Sequence, residues 1–155
     1  MTEFVETPAT DPDAAALLTE YLDYRQATFP PPGVYLRSPA DPAQFVRPRG
    51  AFVVARNDGA TIGCGGVRLL EGDRAEIKHL WVRPLTQGQG VGRLLLAHLE
   101  RIARDLGAQE AVLDTNTSLT AAAALYRAAG YEPVAAYNEN PNANVWLGKL
   151  LLDAC

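Results

Sequence analysis

This chain offers little for covalent bridging or metal binding. Cysteine occurs only twice in 155 residues, at Cys64 and Cys155, and no C-x-x-C or Cys/His ligand spacing accompanies it. That speaks against a disulfide framework and against a structural zinc site, so no metal is expected. Histidine is equally scarce: His79, and His98 on the apolar face of an expected helix, where packing accounts for it. Excess basic charge is absent. Fourteen Lys and Arg face 18 Asp and Glu, a formal net charge of −4. This disfavours nucleic acid as a partner and is compatible with cationic substrates. No run approaches the roughly 18 apolar residues that span a bilayer. No basic-then-apolar leader opens the chain, which carries Glu3 and Glu6 there instead. The expectation is a cytoplasmic protein with no membrane partner.

What is present is a globular composition, 48% hydrophobic and 21% charged, in a length that suits one domain over residues 1–155. Glu3–Glu6 reads as a short strand. Asp11-Pro12-Asp13 starts a helix with Asp11 as cap and Pro12 in the first turn. Phe29-Pro30-Pro31-Pro32-Gly33 breaks it, and a proline-rich stretch follows, with a short helical piece at Asp41–Phe45. Ala51–Arg56 and Thr61–Leu70 flank Asn57-Asp58-Gly59, a strong hairpin signal. Arg74–Val82 completes a meander. Val91, Leu94, Leu95, Leu99, Ile102, Ala103 and Leu106 mark one helix face, closed by Gly107. Ala111–Asp114 is a buried strand and Leu119–Ala129 a helix closed by Gly130. Tyr131–Ala136 and Asn144–Leu152 are the last strands. This order predicts an α/β (α+β) fold: a mixed, mostly antiparallel sheet with one parallel pair and helices on both faces. The exposed last strand suggests a possible homodimer.

The most informative stretch is Gln87-Gly88-Gln89-Gly90-Val91-Gly92, between a strand and a helix. Its glycines let a backbone approach a ligand closely, and the helix start behind them presents unpaired N–H groups and the positive dipole end. That is a receptor for phosphate or pyrophosphate, the plain alternative being a Gly-rich turn. A Walker loop needs lysine and a hydroxyl residue after its second glycine, whereas Gly92 precedes Arg93-Leu94. A dinucleotide G-x-G-x-x-G fails from Gly88, where Arg93 takes the last glycine, and from Gly90, where Leu95 does. The pattern Q/R-x-x-G-x-G/A is met by Gln87, Gly90 and Gly92.

With that loop, the sequence resembles the GCN5-related N-acetyltransferase (GNAT) superfamily. Ala75–Pro84 is similar to the family's fourth strand and its exit, Leu113-Asp114-Thr115-Asn116 to its fifth, and Leu125-Tyr126-Arg127-Ala128-Ala129-Gly130-Tyr131 to its L-Y-x-x-x-G-F/Y signature. The likeness covers about Ala51 to Trp146. It implies acetyl-CoA as co-substrate, with the pyrophosphate on backbone amides from Gln87, Gly88, Gln89, Gly90, Val91, Gly92 and Arg93. The pantetheine arm would lie on backbone groups of Leu80, Trp81 and Val82, in a slot made by splayed fourth and fifth strands. Where the family commonly has asparagine, seven residues before the tyrosine, this chain has Leu119; Asn116 could take over that contact.

Acetyl transfer to an amine needs a neutral amine, a donor for the thioester oxygen and a proton for the leaving sulfur. The resemblance implies Tyr126 for the last role, against a plain reading as a packed helix tyrosine. Glu76, eleven residues before Gln87, is the candidate base; its alternative is a surface ion pair with Lys78. A backbone N–H of Trp81 or Val82 would serve the oxyanion. Phe29 and Tyr35 from the loop after the first helix, with Tyr137 and Glu139 from the last hairpin, are the candidate substrate wall. Together these imply an N-acetyltransferase that moves acetyl directly from acetyl-CoA to a primary amine of a small molecule or peptide. A non-catalytic acyl-CoA sensor is the alternative.

Overall fold

The protein, described here as a computed structural model over residues 1–151, is built on one seven-stranded sheet. Cys155 and Leu152 lie outside the described residues. In chain order the elements are β1 (Thr2–Glu6), α1 (Pro12–Thr28), β2 (Gly50–Asn57), β3 (Ala60–Leu69), β4 (Arg74–Val82), α2 (Val91–Asp105), β5 (Glu110–Thr115), α3 (Thr120–Ala128), β6 (Glu132–Pro133) and β7 (Val145–Leu150), with 3-10 turns at Pro42–Phe45 and Pro84–Thr86. The sheet order is β1-β2-β3-β4-β5-β7-β6. Every pairing is antiparallel except β4 with β5. The expected mixed α/β sheet is therefore the fold. No described helix is long and apolar enough to cross a membrane.

Local chemistry explains the helix ends. Asp11 caps α1 by accepting from Asp13 N and Ala14 N at 2.9 and 3.4 Å, and Pro12 occupies the first turn. Gly130, at φ +95°, ends α3 in a left-handed turn that returns the N–H of Tyr131 to the carbonyl of Tyr126 at 3.0 Å. That turn folds Tyr131 back edge-on to Tyr126, ring centroids 5.9 Å apart.

The core lies on both faces of the sheet. On one, Leu95, Leu96, Leu99 and Ile102 of α2 and Tyr126 of α3 pack on Val53, Val67, Ile77 and Leu113. On the other, Leu17 and Leu18 of α1 with Phe45 cover Phe52, Val54, Cys64 and Trp81. Leu94, expected on the inner face of α2, is 49% exposed, and Leu96 is buried in its place. A run of three leucines fits either register, and the neighbouring strands decide it. The penultimate strand is also shorter than expected: β6 pairs with β7 at Glu132 and Pro133, followed by one further bond from Val134 N to the Trp146 carbonyl at 2.9 Å.

Two features of β4 set up the site. Its pairing with β5 covers Arg74–Glu76 against Glu110–Val112 and stops there, while β5 continues along β7 to Thr115 and β4 along β3 to Val82. The two strands part as a wedge. Within it, β4 carries a bulge: the register with β3 slips between Cys64 and Gly66, and His79 adopts φ +58°. The extra residue reverses the side-chain alternation, so Ala75 and Ile77 share their face with Leu80 while His79 joins Phe45 and Tyr21 on the other.

The β3–β4 contact leaves no room at Gly63, where an added Cβ would sit 2.7 Å from the Trp81 carbonyl oxygen. Gly63→Ala should lower stability by about 1–3 kcal/mol, the usual cost of overpacking a tight contact. Urea unfolding reads this directly, and an unchanged midpoint would refute the close approach.

Candidate active site

The wedge opens into two cavities that meet. The first, about 370 Å³, runs from the edge of β4 at Leu80, Trp81 and Val82 to the loop before α2. Gln87, Gly88, Gly90, Val91, Gly92 and Arg93 line its mouth, and Ser118 to Ala122 its far wall. Gly88 and Gly90 both have φ +82°. A Cβ at Gly88 would meet nothing within 4 Å, and one at Gly90 only an Arg93 nitrogen at 4.0 Å. These residues keep side chains out of a concave backbone surface. Gly90 caps α2 without a side-chain hydrogen bond, and the first turn holds no acid. The leading N–H groups of α2 are left for a ligand, at the positive end of a helix. This cradle fits a pyrophosphate, and the unpaired edge of β4 fits an amide-bearing arm.

Two expected contacts of this cavity, Gln89 and Asn116, are placed elsewhere, and Gln87 lines the mouth with its side chain engaged. The Gln87 side-chain amide donates to the Val82 carbonyl at 2.9 Å, so it braces the loop against β4. Gln89 does not line the cavity. Nor does Asn116, whose side chain accepts from Ser118 N at 2.9 Å and donates to the Asn142 carbonyl at 3.3 Å. Its amide is spent on joining two loops, and Leu119 lines the cavity instead.

The second cavity, about 630 Å³, lies between α1 with its following loop and the segment before β7. Tyr35, Arg37, Asp41, Lys78, His79, Asp114 and Asn140 are among its lining residues. Asn142, itself buried, closes the roof: its side chain accepts from Leu36 N at 3.0 Å and donates to the Leu36 carbonyl at 2.7 Å. Tyr21, Arg25, Leu80, Leu119, Ala122 and Tyr126 line both cavities and form their junction. The Tyr126 hydroxyl has no hydrogen-bond partner among the described residues. Burial holds its proton more tightly than an ordinary phenol. Tyr21, which the sequence did not single out, is a second junction phenol, pushed up to about 12 by burial.

Glu76 is fully buried and lines neither cavity. Arg68, not Lys78, is its ion-pair partner: Nε and Nη2 lie 2.8 and 2.7 Å from Oε1. The Tyr137 hydroxyl donates to Oε2 at 2.7 Å. Both oxygens are engaged, so the surface pairing with Lys78 is corrected, and the carboxylate faces neither cavity where a base would act. Glu76 locks β3, β4 and the segment before β7 at the closed end of the wedge. Tyr137 is thereby taken from the substrate wall. Glu139 is exposed and lines neither cavity, and Phe29 is buried behind Arg25. Of the four expected wall residues only Tyr35 faces the cleft. Arg68 also donates to the Gln44 side chain. His79 and Asp114 are cleft residues the sequence reading passed over; a histidine at a bulge beside the expected cofactor edge was the available signal.

A family model described as Acetyltransferase (GNAT) family matches residues 14–131. An IAA acetyltransferase of Azospirillum brasilense is 33% identical over 134 residues, 83% of this chain and 86% of that protein. Among solved structures, a GNAT-family acetyltransferase of Staphylococcus aureus Mu50 superposes with a TM-score of 0.83 at 15% identity, over 98% of this chain and 100% of its own. One from Elizabethkingia anophelis, solved with acetyl-CoA bound, gives 0.67 at 18% identity, over 97% and 98%. At those identities the structures speak for the fold.

Two predictions follow from buried ionisable groups. Burial first, then the positive charges of Lys78 and Arg68, lower His79 from 6.5 to about 4, against the opposing pull of Asp114. The unfolded imidazole takes up its proton first, so stability falls as pH drops through 6.5 towards 4, by up to about 3 kcal/mol. His79→Asn, which tolerates the left-handed backbone, should flatten the dependence of the urea midpoint on pH across that window. An unaltered slope would contradict the assignment. Glu76→Gln should destabilise by about 2–4 kcal/mol by leaving Arg68 without its charge partner, yet the acid limb of the pH–rate profile should survive. If that limb vanishes in folded protein, Glu76 is the base after all.

Proposed function

This chain belongs to the acetyltransferase (GNAT) family, and on that premise we propose that the wedge cavity holds acetyl-CoA and the adjoining cleft a primary amine, with acetyl passed directly between them at the junction. The enzyme class is that of the family, an acyltransferase acting on nitrogen. The observation that carries the arrangement is the junction itself. Two phenols, Tyr126 and Tyr21, line both cavities with hydroxyls unpartnered among the described residues, and Tyr126 is the one in the L-Y-x-x-x-G-Y segment.

Backbone N–H groups of Gly88, Gly90, Val91, Gly92 and Arg93 would receive the pyrophosphate, and the free edge of β4 at Leu80–Val82 would receive the arm. When bound, acetyl-CoA supplies an acetyl group activated as a thioester. Tyr126 holds a proton at its hydroxyl throughout the working pH range, because burial raises its pKa. It is therefore always competent to donate where a sulfur leaves. Leu80, Leu119 and Ala122 wall the junction with carbon and limit the water that reaches it. A covalent enzyme intermediate has no support: Cys64 is fully buried within the α1-side core, and burial pushes its thiol well above the usual range.

Tyr126→Phe should cut kcat by about 100-fold or more, the usual scale of a lost general acid. Acetyl-CoA should still raise its melting temperature. Tyr21→Phe is the matched control. An unimpaired Tyr126→Phe enzyme would remove Tyr126 from the proposal, and a larger loss in Tyr21→Phe would transfer the role. Failure to acetylate any amine, with acetyl-CoA still stabilising the protein, would favour a non-catalytic acyl-CoA sensor.

A further inference from the structure

Arg25 is the anomaly of the junction. It sits in the last turn of α1, on the stripe that buries Ala14, Leu18 and Leu22, and only 6% of its surface is exposed. Its Nε and Nη1 are buried with no hydrogen-bond partner, and no carboxylate among the described residues pairs with it. Two aromatic rings pack against the guanidinium from one side: the Phe29 and Tyr35 centroids lie 5.4 and 5.2 Å from Cζ and 5.4 Å from each other. The guanidinium is thus held against aromatic carbon while its Nε and Nη1 donors are unused. A buried donor without a partner is costly, and a buried charge more so. Arg25 lines both cavities at their junction, where a bound anion would offset its charge.

The cleft leaves one buried charge unmatched. Arg25, Arg37, Arg68 and Lys78 line it together with Asp41 and Asp114. Arg37 is paired with Asp23 and Arg68 with Glu76, and the two acids accept hydrogen bonds, Asp41 from Ala43 N at 3.1 Å and Asp114 from the Asn138 amide at 2.7 Å. Arg25 is the lining cation that is buried without a partner among the described residues, and His79, lowered to about 4, is neutral near pH 7. Tyr35, whose ring packs against the guanidinium, lines the acceptor cleft and not the first cavity.

We infer that the acceptor amine carries a carboxylate, which binds the unpartnered guanidinium of Arg25 and so orients the amine towards the junction. Planar forks match carboxylates two bonds at a time. This reverses the expectation of a cationic substrate held by Glu139. It rests on the acetyl-transfer reading above and names the substrate class for the same cleft.

The test is release of free thiol from acetyl-CoA by the whole protein over matched sets of amines: each α- or β-amino acid beside its carboxamide and its decarboxylated amine. The wild type should turn over at least one amino acid with kcat/KM about 10-fold or more above its two partners. Arg25→Met and Arg25→Lys should bring that ratio to within about 3-fold, Lys because it keeps the charge without the fork. Equal or better turnover of the carboxylate-free partners by the wild type overturns the inference while leaving acetyl transfer intact, whether or not the variants fold. So does an undiminished ratio in folded variants. The same holds if both variants lose acetyl-CoA affinity instead of selectivity, because Arg25 would then serve the donor. If no amine of any class is acetylated, the transfer reading fails and the inference with it.

Discussion

The parting of β4 from β5 is the constraint on which the rest of this molecule depends. Three residue pairs of parallel ladder hold the strands together, from Arg74 opposite Glu110 to Glu76 opposite Val112. Beyond them each strand keeps its other neighbour and abandons this one. A strand edge that faces no strand must find another partner for its N–H and C=O groups. Here it borders a cavity. The buried cluster of Glu76, Arg68 and Tyr137 closes the wedge at its root. The bulge at His79 turns the remainder of β4 so that Leu80 and Trp81 border the opening.

The helices take their positions from that wedge. α2 begins where β4 runs out, so its uncapped N-terminus and the glycines before it stand at one mouth. α1 crosses the opposite face and is tied to the exit of β4 by Glu20, whose carboxylate receives Arg83 Nε at 3.0 Å and Nη2 at 2.5 Å. α3 brings Tyr126 to the point where the cavities meet, and the turn at Gly130 backs it with Tyr131. Donor and acceptor sides are therefore not separate sites. They are the two ends of one gap in a sheet.

Much of this was legible in the chain. The element order, the Asp11 cap, the hairpin at Asn57–Gly59 and the glycine-marked helix ends follow from local rules and were placed within a few residues. The loop Gln87–Gly92 is legible because glycine spacing before a helix has few physical uses. Most residues expected beside the pyrophosphate and the arm line the first cavity for the same reason: they were expected for their backbone groups, and backbone geometry is written in glycine and periodicity. The acceptor side was read poorly. Phe29, Tyr137 and Glu139 have the right chemistry for a substrate wall, yet one is packed behind Arg25, one is bonded to Glu76 and one faces solvent.

Sequence alone determined the class of fold and the glycine loop at the start of α2, and its resemblance to a family singled out Tyr126, because each depends on residues close together in the chain. Only the tertiary structure decided what the charged residues do. Glu76 is set against Arg68 and Tyr137 by three segments, the last 61 residues away, and Arg25 is left unpartnered by the packing of a helix against a distant loop. A charge takes its role from its nearest neighbours in space. Here those neighbours come from across the sheet, where spacing along the chain carries no information.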